Sequence, residues 1–173
     1  MGKLGSAFFL IFFNFICSQN TFSQSKLISN EGKTLIGKVI RIIDGDTMEI
    51  LYQNTPINIR LAHIDCPEKR RSQPFGAHAK KALSDLCFGQ NVTVYSGSYD
   101  RYKRLIAVVV NNRKQVINRE MIKLGLAWHY KQYSTDPLYA ELEIEARRKK
   151  IGLWSEKHPI APWAWRRKPA LVN

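Results

Sequence analysis

Apolar and polar residues alternate with a period of two in the first third of the chain. Leu35 to Ile43 is rich in branched residues, and Asp44-Gly45-Asp46 behind it is a tight-turn signal. Met48, Ile50 and Tyr52 then alternate with Thr47, Glu49 and Leu51. Asn54-Thr55-Pro56 makes the next turn, after which Ile57, Ile59 and Leu61 alternate with Asn58, Arg60 and Ala62. A strand with one buried face requires this period, and three such runs at short spacing predict a meander that starts a small barrel or sheet.

Downstream the period changes. Ala79, Ala82, Leu83, Leu86 and Cys87 form one helical stripe, and Gly89 is a natural stop. Two further strands are predicted, Asn91 to Tyr95 and Leu105 to Val110, joined by the polar, basic loop Gly97 to Arg104. Asn118 is placed as the cap of a helix running to Leu124, with Gly125 ending it. Asp136-Pro137 starts a last helix, an N-cap followed by proline at the first helical position, in which Leu138, Leu142 and Ala146 share a face. Glutamates precede Arg147-Arg148-Lys149-Lys150 there, which suits the helix dipole and otherwise reads as a solvated helix end. Strands first, a helix between the third and fourth, then two closing helices: the order predicts a mainly β barrel with helices rather than alternating βαβ units.

Composition adds two things. Hydrophobic residues make up 45% of the 173, which excludes a disordered chain. The formal net charge is +13, from 27 Lys+Arg against 14 Asp+Glu, which points to a polyanionic partner, nucleic acid before an anionic membrane. The start of the chain reads as a targeting segment. Lys3 precedes the apolar run Ala7 to Phe13, and no acidic residue occurs before Glu31. The run is short for a membrane span and is interrupted by Asn14, so a cleaved signal peptide over residues 1–23 is expected, with Thr21 and Ser23 at the cleavage positions. Cys17 offers a lipoprotein alternative, against which the bulky Ile16 argues. Residues 24–34 form a polar lead-in, and the mature protein is expected to be secreted or periplasmic, without a membrane span, and monomeric. Cys66 and Cys87 remain after cleavage; a disulfide is open to an exported protein, but two separate thiols are the preferred reading. No Cys/His spacing suits zinc.

Four acidic residues stand out in this basic chain. Asp44 and Asp46 occupy the first turn, and Asp65 and Glu68 lie just past the third strand. If strands two and three form a hairpin, both pairs fall at the same end of it. Gathered like charges repel unless something positive lies between them, and oxygen-only ligands suit a hard cation such as Ca²⁺ or Mg²⁺. Arg60, opposite the Ile57/Ile59/Leu61 face, is either an outward-facing barrel arginine or a guanidinium aimed at a phosphate. Taken singly, each piece is an ordinary turn or loop.

Together they resemble the thermonuclease (staphylococcal nuclease-like) family. The resemblance rests on Ile43-Asp44-Gly45-Asp46-Thr47, Arg60-Leu61 and Ile64-Asp65-Cys66-Pro67-Glu68 in matching spacing. Asp100-Arg101-Tyr102-Lys103-Arg104, Gly125-Leu126-Ala127, Leu153-Trp154-Ser155-Glu156 and the tail Pro162-Trp163-Ala164-Trp165-Arg166 extend it. It implies a five-stranded oligonucleotide-binding (OB-fold) barrel with three helices, a nuclease domain over residues 35–166, and a basic tail over 167–173. It implies calcium-dependent, sugar-nonspecific endonuclease cleavage of DNA and RNA to 3′-phosphate and 5′-hydroxyl ends. By motif, Asp46, Asp65 and the backbone carbonyl of Cys66 would hold Ca²⁺, with Asp44 a supporting carboxylate behind them. Glu68 would hold the attacking water, and Arg60 and Arg104 would grip the phosphate. Tyr102, Tyr130 and Tyr133 would either stack on a base or sugar or pack at the rim. Two departures stand in the motifs: Cys66 replaces a frequent threonine, and Lys103 replaces a usual glycine, where a positive φ would strain the lysine and leaves two outcomes open, a shifted Arg104 or an added lysine contact to phosphate. The alternative function is a non-catalytic nucleic-acid-binding module on the same fold, whose degenerate copies lose the carboxylates or arginines retained here.

Overall fold

The computed structural model describes residues 32–69 and 72–167. The expected signal peptide, most of the lead-in and the end of the basic tail lie outside the described residues. The three predicted strands are present as β1 (Thr34–Asp44), β2 (Thr47–Tyr52) and β3 (Thr55–Leu61), and the first helix as α1 (Gly76–Cys87). β5 (Asn91–Tyr99) and β6 (Leu105–Val110) follow, then α2 (Ile117–Lys123), α3 (Pro137–Arg148), a 3₁₀ turn (Gly152–Ser155) and a short α4 (Pro162–Trp165). Two brief strands, β4 (Ile64–Asp65) and β7 (Trp128–His129), pair antiparallel with each other.

β1, β2, β3, β6 and β5 close into a barrel in that order, with β5 returning to β1. All its pairs are antiparallel except β3 with β6. Closure gives each barrel strand a neighbour on both sides. The inward positions are those the alternation marked: Met48, Ile50, Ile59 and Leu61 are buried with Val39, Val92, Val94 and Val109. One continuous core joins them to Ala79, Leu83 and Leu86 of α1 and to Ile117, Met121 and Ile122 of α2. This is the barrel-with-helices architecture of the oligonucleotide-binding class, with three helices and the short α4. Cys66 and Cys87 are separate, buried thiols.

Three local expectations change. β5 continues past Tyr95 to Tyr99, because its outer end pairs with β6 across a register shift and the Ser96 hydroxyl donates to the Lys33 carbonyl (2.6 Å). Asn118 does not cap α2. The cap position is Val116, and Asn118 is fully buried inside the helix. Its side-chain oxygen accepts from Val109 N (2.9 Å), and its amide donates to the carbonyls of Ala62 and Ala107 (3.0 Å each), tying α2 to the ends of β3 and β6. Asp136 does cap α3, accepting from Leu138 N (2.9 Å). The buried stripe of α3, however, is Tyr139, Glu143 and Ala146, with Leu138 and Leu142 half-buried. Glu143 tolerates burial because Arg147 (2.7 Å) and Lys131 (3.8 Å) neutralise it.

Candidate active site

The turn between β1 and β2 is pressed against its surroundings. A Cβ on Gly45 would sit 2.7 Å from Ala79 Cβ of α1 and 2.9 Å from Cys66 Cβ, so only glycine permits this approach. The turn thereby delivers Asp46 to the segment after β4. Asp46 Oδ2 accepts from Cys66 N and its Oδ1 from the Thr47 hydroxyl, both at 2.9 Å. Thr47 pairs with Arg60 across β2 and β3, as the hairpin argument required.

Arg60 is not an outward-facing barrel arginine, since only 12% of its side chain is exposed. Its Nη1 donates to the carbonyls of Leu61 (2.9 Å) and Ile64 (3.0 Å). Nη2 donates to Asp65 Oδ1 (2.9 Å), and Nη1 lies 3.2 Å from Asp46 Oδ2. One guanidinium thus bridges the two carboxylates that the turn and β4 bring together. Asp65 itself is 1% exposed.

Glu68 sits on a loop held by a residue that sequence reasoning missed. Gln73 Oε1 accepts from Glu68 N (3.0 Å), Gln73 N donates to Glu68 O (3.0 Å), and Gln73 Nε2 donates to Ile160 O (2.7 Å). A Cβ on Gly76 would lie 2.8 Å from the Glu68 carbonyl carbon, so the start of α1 also fixes this loop. The second missed residue is Arg166, at the end of α4. Its Nη2 donates to Asp65 Oδ2 (2.8 Å), and its Nη1 reaches Asp65 Oδ1 (3.3 Å) and Glu68 Oε1 (2.6 Å). The tail motif containing Arg166 was visible, but nothing local connects it to Asp65.

Arg104 reaches the same end of the barrel. Its Nη1 stands 3.4 Å from the Thr47 hydroxyl, which in turn donates to Asp46. Lys103 does have a positive φ, 61°. The loop nevertheless holds Arg104, because Asp100 organises it. Asp100 Oδ1 accepts from Tyr102 N and Arg104 N (2.9 Å each), and Oδ2 accepts from Arg104 Nε (2.8 Å). Burial opposes the Asp100 charge, but these donors outweigh it and hold its pKa below the ordinary value. Of the aromatics, Tyr102 is exposed beneath Arg101 and Arg104, and Tyr133 is exposed edge-on to Tyr130. Tyr130 is half-buried with one face stacked on Trp163 (ring centroids 5.3 Å apart, 9° between planes).

The electrostatics are those of a site built for positive charge. Burial pushes Asp65 up to about 6, the neighbouring Asp46 charge adds to this, and Arg166 and Arg60 pull it down. Asp44 is raised by burial and by the charges of Asp46 and Glu68. Burial works against the charges of Arg60 and Arg166, yet the carboxylates prevail and raise both. Burial pushes the Cys66 thiol well above its ordinary value, so it is a neutral packing group and no thiolate ligand. Among the described residues no group of three or more His, Cys, Asp or Glu side chains is arranged to hold a metal. The donors that do converge are Asp46 and Asp65, which share Arg60, with Glu68 joined to Asp65 through Arg166. Such an oxygen set fits a hard divalent ion that completes its shell with backbone carbonyls and water.

A closed barrel of this class, bearing carboxylates and arginines at one end, is the frame of an oligonucleotide-binding-fold nuclease. Residues 58–156 match the family profile described as staphylococcal nuclease homologue, and the chain belongs to this family. That places it among the nucleases. It is 50% identical over 132 residues to an uncharacterized endonuclease of Haemophilus influenzae, covering 76% of this chain and 72% of that protein. It is 43% identical over 141 residues to the micrococcal nuclease of Shigella flexneri, covering 76% and 80%. To Protein ParB of Escherichia coli it is 41% identical over 144 residues, covering 78% and 80%.

Proposed function

We propose that this nuclease is a calcium-dependent endonuclease that hydrolyses DNA and RNA without sugar preference, leaving 3′-phosphate and 5′-hydroxyl ends. The observation that supports this best is the bridging of Asp46 and Asp65 by Arg60, with Glu68 and Arg104 at the same barrel end. Asp46, Asp65 and the Cys66 carbonyl would hold the Ca²⁺, with Asp44 behind them; when bound, the ion supplies charge neutralisation at an already anionic phosphodiester. Arg60 and Arg104 grip the phosphate oxygens and stabilise the charge that builds there in the transition state. Glu68 positions a water in line with phosphorus and accepts its proton as the water oxygen bonds to phosphorus; the P–O5′ bond breaks, and the departing 5′ oxygen takes a proton from solvent water. The two arginines read the backbone, so little base selectivity is needed.

Single-turnover cleavage and equilibrium binding test this reading on the mature chain. Glu68→Gln should cut the chemical step strongly while leaving nucleic-acid affinity similar or tighter, because its charge repels the bound phosphate. Arg60→Ala should lose about 10²–10³ in kcat together with some affinity. Undiminished cleavage after exhaustive chelation would remove calcium from the scheme. A wild-type protein that binds nucleic acid and never cuts it would make the chain a binding module. Export is part of the same proposal: the mature monomer starts near Gln24 and acts outside the cytoplasm. Among the described residues no helix is long and apolar enough to cross a membrane. Intact mass of the native protein tests this, and retention of Met1 would refute it.

A further inference from the structure

Arg166 lies against the carboxylates that the proposed reading gives to metal and water. Its guanidinium takes both oxygens of Asp65 (2.8 and 3.3 Å) and one of Glu68 (2.6 Å). Arg60 takes Asp65 Oδ1 as well (2.9 Å). Both oxygens of Asp65 therefore carry a guanidinium contact, so a divalent ion meets two positive charges at this carboxylate and binds more tightly where one of them gives way. Arg60 is the costlier to move, since two backbone carbonyls anchor it in a nearly closed environment. Arg166 has 37% of its side chain exposed and sits at the end of a four-residue helix.

That helix is docked by contacts of its own. Pro162 is buried, Trp163 stacks on Tyr130 and meets Trp128 edge-on (5.6 Å), and Gln73 holds the Ile160 carbonyl. The tail is thus packed in place, and Arg166 is presented to the carboxylates from a seat that remains when its side chain swings away.

We propose that Arg166 is a built-in occupant of the cation site, competing with the divalent ion for Asp65 and Glu68. It neutralises the carboxylates in the metal-free enzyme, sets the apparent metal affinity through that competition, and releases Glu68 for water when the metal enters. This rests on Asp46 and Asp65 being metal ligands. It predicts that deleting the internal cation tightens metal binding, since the affinity measured is reduced by the fraction of protein in the closed form.

Isothermal titration of Ca²⁺ into the mature chain, without nucleic acid, tests this on wild type, Arg166→Gln, Arg166→Lys and Arg167→Gln. Arg167→Gln removes the same charge from the next, exposed position. Arg166→Gln should bind Ca²⁺ about ten-fold more tightly, as expected when about nine-tenths of the wild type is closed. Arg166→Lys, which keeps the charge and loses the fork, should fall between, and Arg167→Gln should stay within about two-fold of wild type because exposed charges are screened. Thermal melts should show metal-free Arg166→Gln less stable than wild type and the gap closing with Ca²⁺. Equal or weaker Ca²⁺ binding by Arg166→Gln, folded by circular dichroism, overturns the competition while leaving the metal site standing. An equal gain in Arg167→Gln also overturns it, reducing the effect to net charge. If neither wild type nor Arg166→Gln binds Ca²⁺, the metal assignment fails and takes this inference with it.

Discussion

Replacing Lys103 by glycine asks whether the loop that carries Arg104 is held against its own backbone preference. Lys103 has φ 61°, in the left-handed region where an L side chain costs roughly 1–2 kcal/mol. Glycine removes that cost but adds about 0.4–1 kcal/mol of unfolded-chain entropy. The balance is a net stabilisation of about 0.5–1 kcal/mol, which for a domain of this size is roughly 1–4 °C in Tm. The turn itself should survive, because its hydrogen bonds use the backbone: Lys103 N donates to Asp100 O (3.0 Å), and Asp100 N donates to Arg104 O (2.9 Å). Asp100 also fixes the Arg104 side chain without help from position 103. Cleavage rate should therefore stay near wild type while the melting temperature rises. Lys103→Val provides the opposite sign, since a β-branched residue is least tolerated at positive φ. Urea and thermal melts of wild type, Lys103→Gly and Lys103→Val, with single-turnover cleavage of each, make the assay. A glycine variant that melts lower than wild type would refute the strain argument. A stabilised variant with greatly reduced cleavage would refute the claim that Asp100 fixes Arg104 without help from position 103.

Asn118→Ala should cost about 1–3 kcal/mol in urea unfolding, because the buried Val109 N–H and the half-buried Ala62 carbonyl lose their side-chain partner while the Ala107 carbonyl keeps the Ala62 N–H (2.8 Å); no measurable loss would mean the site re-satisfies itself. A pH effect should come from His63 and His129, which both contact the Ser134 hydroxyl at 2.9 Å and whose pKa values burial lowers from 6.5. The folded state resists protonating them, so their contribution is whole above pH 6.5 and is lost as pH falls through the depressed folded values. Urea melts at pH 7.5 and 5.5 should show wild type losing more stability on acidification than the His63→Gln/His129→Gln double variant; equal losses would remove these rings from the explanation.

The alternation from Leu35 to Leu61, the turn at Asp44-Gly45-Asp46 and the stripe of α1 were legible because strand period, helix period and turn chemistry are local. Hairpin logic then put Asp46 beside Asp65, since the turn between β2 and β3 closes within a few residues and Thr47 must meet Arg60. The positive φ at Lys103 could be suspected from the residue alone, but not that Asp100 would keep Arg104 in place despite it. Asn118 shows where local reasoning misleads: asparagine favours helix caps, and here the Val109 N–H and the carbonyls of Ala62 and Ala107 take its side chain instead. The direction of Arg60 stayed open in the strand pattern, because the pattern fixes which face a side chain takes and not what closes over it. Arg166 could be found only in three dimensions. It lies 101 positions from Asp65, and its arrival depends on Trp163 finding Tyr130 and on Gln73 finding Ile160, contacts that form only when the barrel has closed and the tail has folded back over its end.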